Sequence, residues 1–357
     1  MTTHTPIRVA ILGAGGVGLA CAAVLAHKGH APVLWARHDA AVQAIRAQGV
    51  QAQGALEGRF PVLVDSDLAT VVEHAAVILL TLPANGRRVL FDRLLPMIRP
   101  GQTLIISGDL SLGGSYLHRR LMAAGIEADV AAWSTTAVMG RRLAAHQVQI
   151  GGIRPVGPMA VLPVSAQNRA LAVCTELFGP GFTAAGPLAI LMGNLNPPVH
   201  MANALCNITR IEKAEAWGNY DGITPAVARL IEDLDRERLE LASRCGLTVR
   251  SVRQHFHRSF DLPDTLTLAE MAAELHRRRR GAPPGPTSLA TRFLTEDLPF
   301  GVWPMIRAAQ LLGVHLPLHE AGLTLLSSLC GQDFAAANDL IDDCGLDEIL
   351  ARPAAEN

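Results

Sequence analysis

Short apolar runs alternate with stretches of helical period through the first half of the chain, and only the helical period continues through the second. Residues 7–12 form an apolar run that stops at a cluster of glycines, and 16–28 then carry a helical pattern up to Gly29, a residue suited to ending a helix. A second strand is predicted over 31–35. Further apolar runs at 76–81 and 103–107 alternate with helical patterns at 87–97 and 115–124, an order that predicts a parallel sheet with crossover helices. Later strands are predicted around Val130, at 147–150 and at 159–162. A helix over 166–178 leads into the break Gly179-Pro180-Gly181, where the domain boundary is placed.

Beyond that break the strand pattern is gone. Thr224 is an N-cap residue followed by Pro225 at a first helical position, and the apolar period then runs to Cys245 with Gly246 as its stop. Thr267 opens another helix, which closes on Arg277, Arg278, Arg279 and Arg280, cations placed where the helix dipole favours them and read as a solvated helix end. A loop over 281–286 and three more helical stretches finish the chain. The predicted fold is α/β: an N-terminal Rossmann-type parallel-sheet domain over 1–182 followed by an all-α domain over 183–357.

Composition narrows the partners. The chain has 357 residues, 49% hydrophobic and 18% charged, with a formal net charge of −1. It thus has no field for nucleic acid or for an anionic membrane, and small molecules are the expected partners. Its first residues show no basic stretch followed by an apolar one, so no signal peptide is expected. The longest apolar stretch, around residues 75–82, falls well short of the roughly 20 residues of a membrane span. The six cysteines form no C-x-x-C pair, so reduced, buried thiols, no metal site and a cytoplasmic location are expected. Only Lys28 and Lys213 carry an ε-amine, against 29 arginines.

The glycine cluster carries the first candidate chemistry. Gly13, Ala14, Gly15, Gly16, Val17 and Gly18 follow a strand and open a helix, the setting in which G-x-G-x-x-G binds a dinucleotide. Gly13 permits the tight turn, Gly15 lets the backbone approach a pyrophosphate, and Gly18 lets the helix pack on the sheet. An acidic residue at the end of the second strand would bind the ribose of NAD, but Arg37 stands there and can pair a 2′-phosphate. NADP(H) is therefore favoured, with NAD(H) the alternative if Asp39 takes the ribose. Thr81, Leu82 and Pro83 leave a strand at the sheet's carboxyl edge, in position to meet the nicotinamide half.

The second half offers a histidine and a carboxylate. In Asn194-Leu195-Asn196-Pro197-Pro198-Val199-His200 the asparagines and prolines suit a helix start, which would put His200 in the first turn. Arg292 and, five residues on, Asp297 follow the proline loop. An arginine can grip a carboxylate through two parallel hydrogen bonds, and a carboxylate can fix a histidine tautomer. The plainer readings are a structural histidine and an acidic pair, Glu296 and Asp297, at a helix start.

These residues together resemble the opine dehydrogenase family of the octopine and nopaline type. The resemblance spans the whole chain: the glycine loop, Asn194-x-Asn196-x-x-x-His200, Asp221-Gly222-Ile223-Thr224-Pro225, Asp235-Arg236-Glu237-Arg238, and Arg292 with Asp297. It implies NAD(P)H-dependent condensation of an amino acid with a 2-oxo acid such as pyruvate, through an imine, to a secondary-amine dicarboxylate. It also implies that His200 and Asp297 form the acid–base pair and that Arg292, with Asn196, binds substrate. It leaves a homodimer open. Reductases of the ketopantoate and glycerol-3-phosphate dehydrogenase types share the first domain but rely on lysine in the second, where only Lys213 is available. A non-catalytic NADP(H) sensor would need the glycine loop alone.

Overall fold

The computed structural model describes residues 5–109, 111–154 and 157–352. Residues 1–4, part of the segment read for a signal peptide, and the last five of the predicted second domain lie outside them. Among the described residues two compact units are present: one runs to Ile190 and takes in Asp343–Gly345, and the other holds Leu191–Asp342 and residues 346–352.

The first unit contains β1 (Arg8–Leu12), α1 (Gly16–His27), β2 (Ala31–Trp35), α2 (Asp39–Gln48), β3 (Val50–Gly54), β4 (Gly58–Phe60), β5 (Leu63–Asp65), α3 (Leu68–Val72) and β6 (Val77–Leu80). It continues with α4 (Arg87–Leu94), β7 (Thr103–Ile106), α5 (Gly113–Ala123), β8 (Asp129–Trp133), β9 (Val138–Arg142), β10 (Gln147–Ile153), β11 (Pro158–Leu162), α6 (Gln167–Phe178) and β12 (Thr183–Ala184). Eight strands form one sheet in the order β12-β11-β8-β7-β6-β1-β2-β5. The pairing in this sheet is parallel, as the alternation of strands and helices predicts, except that β11 runs antiparallel to β8. The link between them carries β9 and β10 rather than a crossover helix, so the chain returns from the opposite direction.

A second sheet, β4-β3-β10-β9, was read from the sequence only at 147–150. Its inner residues Val50, Ala52, Val138, Val148 and Ile150 join the residues of α1 in one apolar cluster. That explains why α1 is buried without a break from Gly18 to Leu25 and has no polar face. A helix that is apolar all round must be covered all round.

The second unit is helical: α7 (Pro187–Gly193, begun in the first unit), α8 (Asn196–Cys206), α9 (Ile208–Glu212), α10 (Pro225–Arg244), α11 (Val252–Phe260), α12 (Leu268–Arg278), α13 (Arg292–Thr295), a π-helical turn at Leu298–Val302, α14 (Trp303–Leu312), α15 (Pro317–Cys330) and α16 (Leu346–Leu350). The Thr224 side chain accepts from the Val227 amide, and capping boxes of Ser251 with Gln254 and Thr267 with Glu270 start α11 and α12. Each satisfies amides that a helix start leaves unpaired. The units divide within α7, eight residues beyond the predicted boundary at 182. β12 still pairs with β11 in the sheet, and Ile190 is buried against Ala132 and Ala160.

None of the six cysteines is in a disulfide, but only Cys21, Cys174 and Cys344 are buried, and Cys206 is exposed, against the expectation of buried thiols. Burial pushes the Cys21 and Cys174 thiols up to about 12. Among the described residues no helix is long and apolar enough to cross a membrane, and no group of three or more His, Cys, Asp or Glu side chains could hold a metal.

Candidate active site

The glycine loop after β1 can be read atom by atom. Gly13 has φ +120°, a conformation that favours glycine, and the Thr81 hydroxyl seals the turn by donating to the carbonyls of Leu12 (3.0 Å) and Gly13 (3.2 Å). A Cβ on Gly18 would fall 1.8 Å from the Gly13 carbonyl oxygen, so α1 lies directly on the turn. A Cβ on Gly16 would fall 2.3 Å from the carbonyl oxygen of Gly140 in β9, a contact invisible in the sequence. Gly15 differs from these. Its Cβ would meet nothing within 4 Å, and the residue is exposed.

Open space at Gly15 is what a ligand would need, since packing does not demand glycine there. The start of α1 has neither a side-chain cap nor an acidic residue in its first turn. Its amides and partial positive charge are thus available to an anion, and Gly13–Gly18 could hold a dinucleotide pyrophosphate here. Arg37 and Asp39 lie just past β2, both exposed, and the Arg37 side chain has no partner among the described residues. Thr81, Leu82 and Pro83 follow β6 at the same end of the sheet as the glycine loop. Buried Arg87 fixes them by donating to the Leu82 carbonyl (3.4 Å), the Gly108 carbonyl (2.6 Å) and Asp109 (2.9 Å).

In the helical unit, Asn194 Oδ1 accepts from the Asn196 amide at 3.1 Å ahead of α8, whose N-cap position is Leu195 with no side-chain cap. Pro197 and Pro198 follow in the first turn, where a missing N–H leaves no gap in the helix. His200 is the fifth residue of α8 rather than a first-turn residue, and it shares a face with Asn196 one turn earlier. The same helix carries Asn203, which donates to the Asn219 side chain (2.8 Å), and Asn207, which donates to the Gly222 carbonyl (3.3 Å). These buried amides hold the loop containing Asp221 against α8. Arg238, fully buried and paired with Asp235, donates to the Met192 carbonyl and so braces the approach to the helix.

Asp297 reaches His200 across 97 residues of sequence. Its Oδ2 lies 2.7 Å from His200 Nδ1, and the carboxyl is completely buried while the His200 side chain is 14% exposed. A proline–glycine contact brings them together. A Cβ on Gly301 would fall 2.4 Å from Pro197 Cγ, so the Leu298–Val302 turn and the first turn of α8 meet backbone to ring. Phe293 stacks on the imidazole with centroids 3.7 Å apart and planes within 7°. Together the phenyl ring and the carboxylate set the plane and the tautomer of His200. Nδ1 donates to the carboxylate, and Nε2 makes no hydrogen bond among the described residues. Such an arrangement is chemically able to exchange protons through Nε2, with Asp297 available to balance the charge.

Of the other predicted substrate residues, Arg292 opens α13 beside Phe293. Its half-exposed guanidinium lies 3.4 Å from Glu296, a pair worth about 0–1 kcal/mol at that exposure. Asn196 is exposed, and its carboxamide has no partner among the described residues. The sequence reading missed Phe293, Asn203, Asn207 and Asn219. Phe293 could have been noticed, because it stands four residues before Asp297 and therefore on the same side of a helical turn.

Comparison with known proteins agrees with this anatomy. Residues 183–330 match the family model of the alpha-helical domain of NAD/NADP octopine/nopaline dehydrogenase, and 8–145 that of the N-terminus of NAD-dependent glycerol-3-phosphate dehydrogenase. An opine dehydrogenase of Arthrobacter sp. (strain 1C) is 28% identical over 354 residues, 96% of either chain. Octopine dehydrogenase solved with NADH and L-arginine has the same fold, with a TM-score of 0.77 at 18% identity over 96% of this chain and 98% of the other. Yersinopine dehydrogenase with NADP+ bound gives a TM-score of 0.69 at 15% identity over 97% and 98%. Residues 183–330 thus form a domain of the octopine/nopaline dehydrogenase family, and the chain is an NAD(P)-dependent oxidoreductase.

Proposed function

We propose that the protein is an opine dehydrogenase that condenses an amino acid with a 2-oxo acid of the pyruvate kind and reduces the resulting imine to a secondary-amine dicarboxylate, with NADP(H) preferred. The pairing of His200 Nδ1 with buried Asp297 at 2.7 Å, with Nε2 left for a substrate, carries this reading. When bound, the reduced nicotinamide supplies a hydride. His200 Nε2 delivers a proton at the carbonyl or imine and takes one back in the reverse direction. Asp297 holds the tautomer and balances the charge that forms on the imidazole. Arg292 grips the oxo-acid carboxylate in two-point fashion, letting go of its weak pair with Glu296. Asn196, on the face of His200, donates a hydrogen bond to the same substrate.

Two sequence features support the finer points. Arg37 stands where NAD-preferring sites carry an acid, which favours a 2′-phosphate. Lys213, the one lysine of the helical unit, is exposed just past α9, so the lysine-based chemistry of ketopantoate-type reductases finds no support in it. The test follows NADPH oxidation over a matrix of amino acids against pyruvate, oxaloacetate and 2-oxoglutarate, with each oxo acid also given alone. Oxidation should require both substrates. Fast reduction of an oxo acid without any amine would overturn the proposal.

A further inference from the structure

The glycine-to-glycine contact between α1 and the small sheet has a consequence for the cofactor. A Cβ on Gly16 would meet Gly140 oxygen at 2.3 Å, and a Cβ on Gly140 would meet Gly16 oxygen at 2.1 Å, so β9 touches the first turn of α1 backbone to backbone. The strand then continues to Arg142, whose amide nitrogen lies 2.9 Å from the same Gly16 position. Gly140 also faces Ala20 Cβ, one turn further into the helix, so the step from Gly140 to Arg142 runs towards the N-terminus of α1.

Register decides which arginine faces the helix. Arg142 pairs with Val148 and Gly140 with Ile150, while Arg141 pairs with Gln149. Val148 and Ile150 are buried in the cluster that packs on α1, and residues directly opposite in an antiparallel pair share a face. Arg142 is therefore on the α1 side and Arg141 on the outer side. Arg142 is nevertheless exposed, and its side chain has no hydrogen-bond or ion-pair partner among the described residues. It is an uncompensated cation at the rim of an uncapped helix start whose Gly15 is open to a ligand.

We propose that Arg142 is a cofactor-binding residue: the small sheet carries its guanidinium to the pyrophosphate of NAD(P)H, beside the amides of α1. This rests on the dinucleotide site at Gly13–Gly18. Because the pyrophosphate is common to both cofactors, Arg142 supports affinity and leaves the choice between NADPH and NADH to Arg37. The Gly16–Gly140 contact is then a means of bringing a basic strand to the phosphates.

Dissociation constants of NADPH, NADH and ADP-ribose, measured by calorimetry on the full chain, test the proposal. Arg142→Ala should weaken all three by about tenfold to a hundredfold, the usual loss for a hydrogen bond to a charged group, with the NADPH-to-NADH ratio unchanged. Arg142→Lys should recover part of the loss, and Arg141→Ala, on the other face of the same strand, should change it by less than about twofold. A loss confined to NADPH, an equal loss in Arg141→Ala, or no loss in Arg142→Ala would each overturn the assignment. Failure of the unmodified protein to bind any of the three would instead refute the dinucleotide site on which it rests.

Discussion

His200 and Asp297 should behave as one catalytic unit but not as equal contributors to stability. Removing the imidazole in His200→Ala strands a carboxylate that is wholly buried and whose Oδ1 already lacks a partner among the described residues. Breaking a buried pair in that way costs about 3–5 kcal/mol. Asp297→Asn leaves a neutral amide beside an imidazole that reaches solvent, and should cost roughly 1.5–3 kcal/mol, the range for a lost hydrogen bond to a charged group. For turnover, each change removes the held tautomer or the proton carrier, so kcat should fall by about 10²–10⁴ in both. That corresponds to roughly 3–5.5 kcal/mol of barrier. The double variant should be little slower than the poorer single one, because each single change already disables the unit. Steady-state kinetics at saturating NADPH and urea titrations of the four proteins give both comparisons. If the two kinetic losses simply multiply, or if Asp297→Asn is the less stable protein, the coupling inferred from the 2.7 Å contact is wrong.

Further outcomes follow from other contacts. Gly16→Ala should destabilise the fold, since its Cβ would meet the Gly140 carbonyl at 2.3 Å, whereas Gly15→Ala has open space and should keep its thermal midpoint but bind NADPH more weakly; equal midpoints for the two would contradict this. Arg37→Asp should remove about tenfold to a hundredfold of the NADPH-over-NADH preference, and an unmodified enzyme equally efficient with both cofactors would end that assignment. Arg292→Lys keeps the charge but loses the planar grip, so KM for the oxo acid should rise well beyond any change for NADPH, and an unchanged KM would remove Arg292 from the site. Burial raises the Glu237 carboxyl, but His319 Nδ1 (2.7 Å) and the amides of Leu318 (2.8 Å) and His319 (3.1 Å) together hold it below its usual range. A lowered folded value stabilises above the unfolded carboxyl, at about pH 4.3, and is lost as pH falls through the folded value. Glu237→Gln should accordingly be less stable at neutral pH and lose less of its urea midpoint on acidification than the parent.

Much of the fold lies in signals that act over a few residues. The step from β1 through Gly13 into α1, the stop at Gly29, the Thr224-Pro225 start of α10 and the capping of α12 by Thr267 all follow from local backbone preference, and the sequence predicts each nearly to the residue. The unbroken apolar run of α1 even required a second cover on that helix, though it did not say what the cover was. Tertiary packing alone decided that Gln-rich β3 and the segment at Val138–Arg142 would form a sheet across α1, because such short strands gain stability only from partners distant in the chain. Packing likewise decided the direction of β11, which depended on what its connection contained. The candidate chemistry divides the same way. His200 and Asp297 could be named from residue type and from family resemblance, but their meeting depends on Pro197 seating against Gly301, a contact with no periodicity to read. Phe293 and the asparagine ladder, which hold the pair and its helix in place, became visible only when the helices were packed together.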